Sequence, residues 1–206
     1  MMLMPLLIKS LVIGLAIAAP LGPIGALCIN RTLRRGFFAG FSGGFGTALA
    51  DATYGALAAF GFSAFSSVLA VISMPLAVAG GAFLIFLGWR DMRRSGAEAA
   101  PETAGNDLVK TFATTYLLTI ANPATILSFA AIFAGFGLAD VGRGQAALVV
   151  VFGIFCGSLM WWLFLSGLVA IVRHRLPESF AHWVARVSGG ILIGFGMVAV
   201  AAALKV

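Results

Sequence analysis

Six stretches of this sequence are each long and apolar enough to cross a bilayer: residues 5–30, 37–60, 66–89, 111–136, 145–172 and 183–204. A hydrocarbon core about 30 Å thick needs roughly 20 apolar residues at the helical rise of ~1.5 Å. Of the 206 residues, 61% are hydrophobic and 10% charged, with a mean hydropathy of +1.07, whereas a soluble domain is about 25% charged. No stretch shows the ten-residue alternation of a membrane β-barrel. The chain is therefore predicted to be an all-α integral membrane protein of six transmembrane helices, with no soluble domain left over.

The net charge of +6 is distributed as a topology signal rather than as a nucleic-acid surface. Arg31, Arg34 and Arg35 fall between the first and second segments. Arg90, Arg93, Arg94 and Lys110 fall between the third and fourth, and Arg173, Arg175 and Arg186 between or just inside the fifth and sixth. The other side carries only Lys9, Arg143 and Lys205. The positive-inside rule puts the arginine-bearing loops in the cytoplasm and both termini outside. Ala16-Ile-Ala18 looks like a signal-peptide cleavage site, yet the apolar run continues to Ile29, so the segment is expected to be retained. Cys28 and Cys156 stand alone in apolar segments, and His174 and His182 sit in a loop region; no disulfide, metal or cofactor is implied.

The longest polar stretch, 90–110 (RDMRRSGAEAAPETAGNDLVK), reads as a cytoplasmic linker between a first three-helix unit, 1–89, and a second, 111–206. Three being odd, the second unit must lie inverted in the membrane relative to the first. Both units open on a helix with a breaker near its middle or end: Pro20-Leu-Gly22-Pro23 in the first segment and Asn122-Pro123 in the fourth. Irregular backbone at membrane depth survives only where protein or a watery cavity satisfies its free N–H and C=O groups. Paired breaks in corresponding helices of inverted halves are the strongest sequence pointer to a transporter's binding site. The plainer reading of each break is a proline kink packed on its neighbours.

The second segment carries one carboxylate, Asp51, the only acidic residue inside any of the six spans. Gly36, Gly40, Gly44 and Ala48 form a small-residue stripe at four-residue spacing. Asp51 falls on that stripe, so it is expected to face other helices, with Thr47 one turn before it and Tyr54 one turn after. About fifteen residues, or some 22 Å, separate it from the start of the segment, beyond the reach of Arg31, Arg34 and Arg35. A central Asp costs roughly 2.5–3.5 kcal/mol to insert, which argues for a role in binding substrate or in carrying a proton. A permanently protonated Asp, hydrogen-bonded between helices, is the structural alternative. On the fourth segment, Thr111, Thr115, Thr119 and Asn122 share one face just before Pro123, again suggesting a cavity. Trp161 and Trp162 fall mid-span in the fifth segment, where either could wall a cavity although packing is the commoner role, and Gly153 with Gly157 and Gly190 with Gly194 are expected to mark helix contacts.

These motifs, in this order, resemble the lysine-exporter (LysE-type) translocator family, which includes homoserine/threonine exporters. The resemblance rests on Pro20-Leu-Gly-Pro23, the Arg34-Arg35-Gly36 turn, the glycine-rich helix with Asp51, and Asn122-Pro123, and it spans essentially the whole chain. It implies a bacterial inner-membrane exporter of amino acids or similar metabolites, driven by proton exchange, and not an enzyme. The implied partners are a small-molecule substrate, protons and the lipid bilayer, with a homo-oligomer left open. The resemblance maps the substrate site onto Pro20, Gly22, Pro23, Asp51, Asn122 and Pro123, to which helical spacing adds Tyr54 and Thr119, with Asp51 also coupling to protons. Where the family often has Asn or Asp after the first motif this chain has Ile24, and where Lys commonly follows Asn-Pro it has Ala124. Gly135 stands near where a Gln is often seen. A passive channel and a membrane-embedded interaction subunit are the alternative functions.

Overall fold

The computed structural model describes residues 3–19, 22–93, 105–122, 125, 128–129, 144–175 and 178–203, and every regular element among them is helical. These elements are α1 (Leu3–Ala18), α2 (Pro23–Arg35), α3 (Phe37–Arg93), α4 (Gly105–Ile120), α5 (Gln145–Val172), a short 3₁₀ turn (Arg173–Arg175) and α6 (Glu178–Ala203). Among the described residues α5 alone is long and apolar enough to cross a bilayer unaided, and the bent pair α1 and α2 forms a second span if taken together. The outer surface of α5 shows Leu148, Phe152, Met160, Leu163, Phe164, Leu168 and Ile171. So many large apolar side chains on one helix suit a lipid-facing surface.

The first segment is broken as expected. α1 and α2 meet at 77°, and Gly22 caps α2 with Pro23 at its first position, where a missing N–H costs nothing. Pro20 lies outside the described residues. α2 runs on through Arg31, Arg34 and Arg35, so these arginines occupy its last turns and not a loop as their charge pattern suggests. The chain then turns at Gly36, whose φ of +88° is left-handed and favours glycine. The linker expected over 90–110 is helical at both ends, closing α3 and opening α4, while 94–104 falls outside the described residues.

The second and third segments, expected as separate helices, form the single helical run α3, which nevertheless returns on itself. Ala48 and Leu84 share one buried cluster, whereas a straight helix would hold them about 54 Å apart. Both limbs also reach the end of α4: the Tyr54 hydroxyl donates to the Ile120 carbonyl, and the backbone of Gly80 abuts Ala121. The reversal therefore falls between Tyr54 and Gly80, a stretch that includes Pro75.

Small residues bring the remaining helices together. A Cβ on Gly14 of α1 would lie 2.2 Å from the Ile154 carbonyl oxygen, and one on Gly157 of α5 would lie 2.0 Å from the Leu11 oxygen. Gly153 abuts Ser10 in the same way. The expected Gly153–Gly157 contact is thus the seam between α1 and α5. Gly190 and Gly194, by contrast, have open space where a Cβ would go. The contacts of α6 are made by Gly189, against Gly88 and Met92, and by Gly196, against Gly81 and Ile85. The α6 face in contact is rotated from the one that four-residue spacing suggests, because the return limb of α3 supplies glycines of its own at 81 and 88.

Candidate functional site

Beside the α1–α2 break lies a cavity of about 230 Å³. Its wall includes Ile17 and Ala18 from α1, Gly22, Pro23, Ile24 and Gly25 from the start of α2, Thr47 and Asp51 from α3, and Thr119 from α4. Asn122, Thr125, Ser128, Trp162 and Phe195 complete it. α2 begins at this wall, so the positive end of its dipole is held against the cavity. The second break is there too: α4 ends at Ile120, Ala121 and Asn122 leave the helix, and Thr125, Ser128 and Phe129 are helical again. Pro123 lies outside the described residues. Five of the residues expected from sequence, Gly22, Pro23, Asp51, Thr119 and Asn122, are thus brought to one cavity from three separate stretches of chain.

Asp51 is 1% exposed. The α3 stripe that carries it is held close by its glycines: Gly40 packs on Thr32 of α2, and Gly44 on Trp162 of α5. Asp51 Oδ2 accepts a hydrogen bond from Ser158 Oγ at 2.6 Å. Nearby, Thr119 Oγ1 donates its one hydrogen to the Thr115 carbonyl at 2.8 Å and lies 3.4 Å from Thr47 Oγ1.

The threonine face of α4 is shared between two cavities. Thr111 and Thr114 face a larger one of about 390 Å³, lined also by Arg31, Arg34, Arg35, Arg90, Asp107 and Lys110. Thr119 faces the smaller cavity. Thr115, 1% exposed between them, accepts a hydrogen bond from the Arg31 guanidinium at 2.5 Å. Gly43 leaves the room for this contact, since a Cβ there would come within 3.1 Å of Arg31 Nη1 and 3.2 Å of Thr115 Oγ1.

Tyr54 is placed differently. It is 3% exposed, packs on Phe129 with ring centroids 5.3 Å apart, and gives its hydroxyl to the Ile120 carbonyl, outside the cavity wall. That carbonyl is one of those freed where α4 ends, so Tyr54 holds the break in place. Tyr54→Phe is expected to leave the part-buried carbonyl without its donor and to cost about 0.5–1.5 kcal/mol. Thermal unfolding in detergent should show a lowered midpoint, with ligand affinity at the cavity unchanged.

Sequence reasoning missed Ser158 and, of the two roles open to Trp162, favoured packing over the cavity wall where it lies. Ile154, Ser158, Trp162 and Ser166 follow four-residue spacing in α5 and are all buried. A face combining two serines with an indole was the available signal. No group of three or more His, Cys, Asp or Glu side chains suited to a metal ion occurs among the described residues.

Comparison with known proteins gives a consistent result. A family model described as LysE type translocator matches residues 15–202. A Bacillus subtilis protein named "Putative amino acid efflux protein YcgF" is 26% identical over 197 residues, covering 94% of each chain. The uncharacterized membrane protein YahN of Escherichia coli is 28% identical, covering 94% of this chain and 89% of its own. The uncharacterized membrane protein PA4757 of Pseudomonas aeruginosa is 26% identical, covering 85% and 86%. No solved structure matches.

Proposed function

The chain belongs to the LysE type translocator family, and from that premise we propose that it is a secondary exporter of amino acids or closely related metabolites, working by proton antiport with alternating access. As a translocator it is a membrane transporter and not an enzyme. The observation that carries the proposal is Asp51: a buried carboxyl in the wall of a cavity that two helix breaks flank. The size of the cavity, about 230 Å³, falls below the ~300–1,000 Å³ of pockets for drug-sized ligands, which suits a small metabolite. The name of the Bacillus subtilis relative points to the same cargo class.

In this reading the chain spans a bacterial inner membrane six times as two inverted three-helix units, 1–89 and 111–206, with both termini periplasmic. The carboxylate of the cargo sits at the N-terminal end of α2, and its ammonium group pairs with ionised Asp51. A proton arriving from outside neutralises Asp51, weakens that pairing and releases the cargo. The Arg31–Thr115 contact between the two cavities is the closure on the arginine-rich side and parts when the carrier faces the cytoplasm. Export, rather than uptake, follows from the family.

The test is transport by the purified protein in liposomes loaded with labelled amino acids under an imposed pH gradient. The expected outcome is saturable counterflow, with uphill movement that a protonophore collapses. Non-saturable flux without counterflow would indicate a channel. No flux, with no thermal stabilisation by any metabolite, would indicate an interaction subunit.

A further inference from the structure

We infer that the arginine-rich cavity of about 390 Å³ binds the phosphate headgroup of an anionic phospholipid. The inference concerns the second cavity and stands independently of what the Asp51 cavity carries.

Among the described residues its wall has five cations: Arg31, Arg34 and Arg35 from α2, Arg90 from the return limb of α3, and Lys110 from α4. Against them stands one carboxylate, Asp107. The positive-inside rule accounts for cations on this side of the membrane. It does not account for their convergence from three separate stretches of chain on a single concavity. Asp107 offsets little of the charge. Its Oδ2 lies 3.9 Å from Arg35 Nη1, with the two side chains 52% and 30% exposed, where water screens such a pair.

A cleft lined by one sign of charge attracts counter-ions through space, so the effect does not require every head to point inward. Two of the heads are nonetheless held in place. Arg31 Nη1 donates to Thr115 Oγ1 at 2.5 Å, and Arg34 Nε donates to Asn30 Oδ1 at 2.9 Å. The guanidinium fork matches the geometry of a phosphate group.

The apolar side of the same wall favours a lipid over a free anion. Phe83 and Phe86 line the cavity, with their rings stacked at 6.2 Å between centroids. They are 39% and 55% exposed, and exposed rings on a membrane-spanning chain suit contact with acyl chains. Phe86 precedes Arg90 by four residues, so the two share a face of α3. Along that face aromatic rings give way to a cation within one helical turn, about 5.4 Å. An anionic phospholipid presents the same order, acyl chains and then phosphate. Basic pockets between transmembrane helices hold anionic headgroups on this principle.

The test is thermal stabilisation of the whole purified chain in a neutral detergent. It is titrated separately with dioctanoyl phosphatidylglycerol, dioctanoyl phosphatidylcholine and inorganic phosphate. Phosphatidylglycerol should raise the melting temperature saturably and less strongly in high salt; the other two should not raise it at the same concentrations. Arg90 and Lys110 are exposed, and Arg90→Gln combined with Lys110→Gln is expected to weaken phosphatidylglycerol binding about thirtyfold. The ligand-free melting temperature should hold. Each substitution alone should weaken binding about fivefold, so the comparison survives failure of the double variant to fold. Arg175→Gln combined with Arg186→Gln removes equal charge from exposed positions outside the wall and should bind like the parent. The inference is overturned if phosphatidylglycerol gives no stabilisation, or if phosphatidylcholine stabilises equally, which would leave acyl-chain contact alone. Inorganic phosphate binding as tightly as phosphatidylglycerol would make this a free-anion site and overturn it too. So would parent-like binding by the wall variants, or an equal loss in the control pair.

Discussion

Asp51→Asn is expected to abolish uphill transport while leaving the protein folded. The carboxyl sits at 1% exposure with Ser158 as a donor, and an amide of nearly the same shape keeps an oxygen for that hydrogen bond. What it loses is the ability to carry charge. Truncating one partner of a buried charge pair costs about 2–5 kcal/mol, so cargo accumulation against a gradient should fall by roughly two orders of magnitude. Asp51→Glu retains the charge on a longer side chain and is expected to recover part of the activity. Ser158→Ala removes a single donor and should slow transport about tenfold without uncoupling it from the pH gradient. The measurement is accumulation in liposomes at several imposed gradients. If Asp51→Asn followed the gradient as the parent does, proton coupling through this residue would be refuted.

The largest effect on folding is expected at Gly157, in the seam between α1 and α5. Even one added carbon would stand 2.0 Å from the Leu11 oxygen and 2.8 Å from the Leu15 nitrogen. Both obstacles are backbone, so no rotamer change relieves the clash. Gly157→Val must push α1 away from α5, and overpacking of this kind costs about 1–3 kcal/mol or more. Ile17 and Ala18 at the end of α1 line the cavity, so displacement of α1 also opens its wall. A sharply lowered melting temperature in detergent, with loss of transport, is the expected outcome. Gly190→Ala is the matched control, because a Cβ there meets open space; it should melt with the parent. Parent-like stability of Gly157→Val would mean that the two helices are not in this contact.

Much of the site was legible because its elements announce themselves locally. Proline and glycine disrupt helices wherever they fall, so the break before α2 was visible in Gly22-Pro23 and the one after α4 in Asn122. Asp51 was visible because a charge within an apolar run is costly. Its orientation followed from helical periodicity, since Gly44 and Asp51 lie nearly two whole turns apart. Tyr54 shows where the same argument stops. Periodicity places it one turn beyond Asp51 on the same limb, but its hydroxyl goes to the Ile120 carbonyl, a partner supplied by a distant helix end. The glycines of α6 failed for a related reason. Gly190 and Gly194 are four residues apart and Gly189 and Gly196 seven, both spacings that repeat on one helix face, and only the facing glycines of α3 select the pair used.

The amino-acid sequence by itself determined the solvent in which this chain folds, where its helices break, and which carboxylate is taken into the interior. Each of these follows from the transfer cost or backbone geometry of a few neighbouring residues. Only the tertiary structure decided which partners meet: Ser158 with Asp51, Arg31 with Thr115, and the Trp162 indole with the cavity wall. The first two join residues 107 and 84 positions apart, and all three depend on how closely glycine-lined helices approach. That approach is a property of two surfaces together, which no single segment encodes.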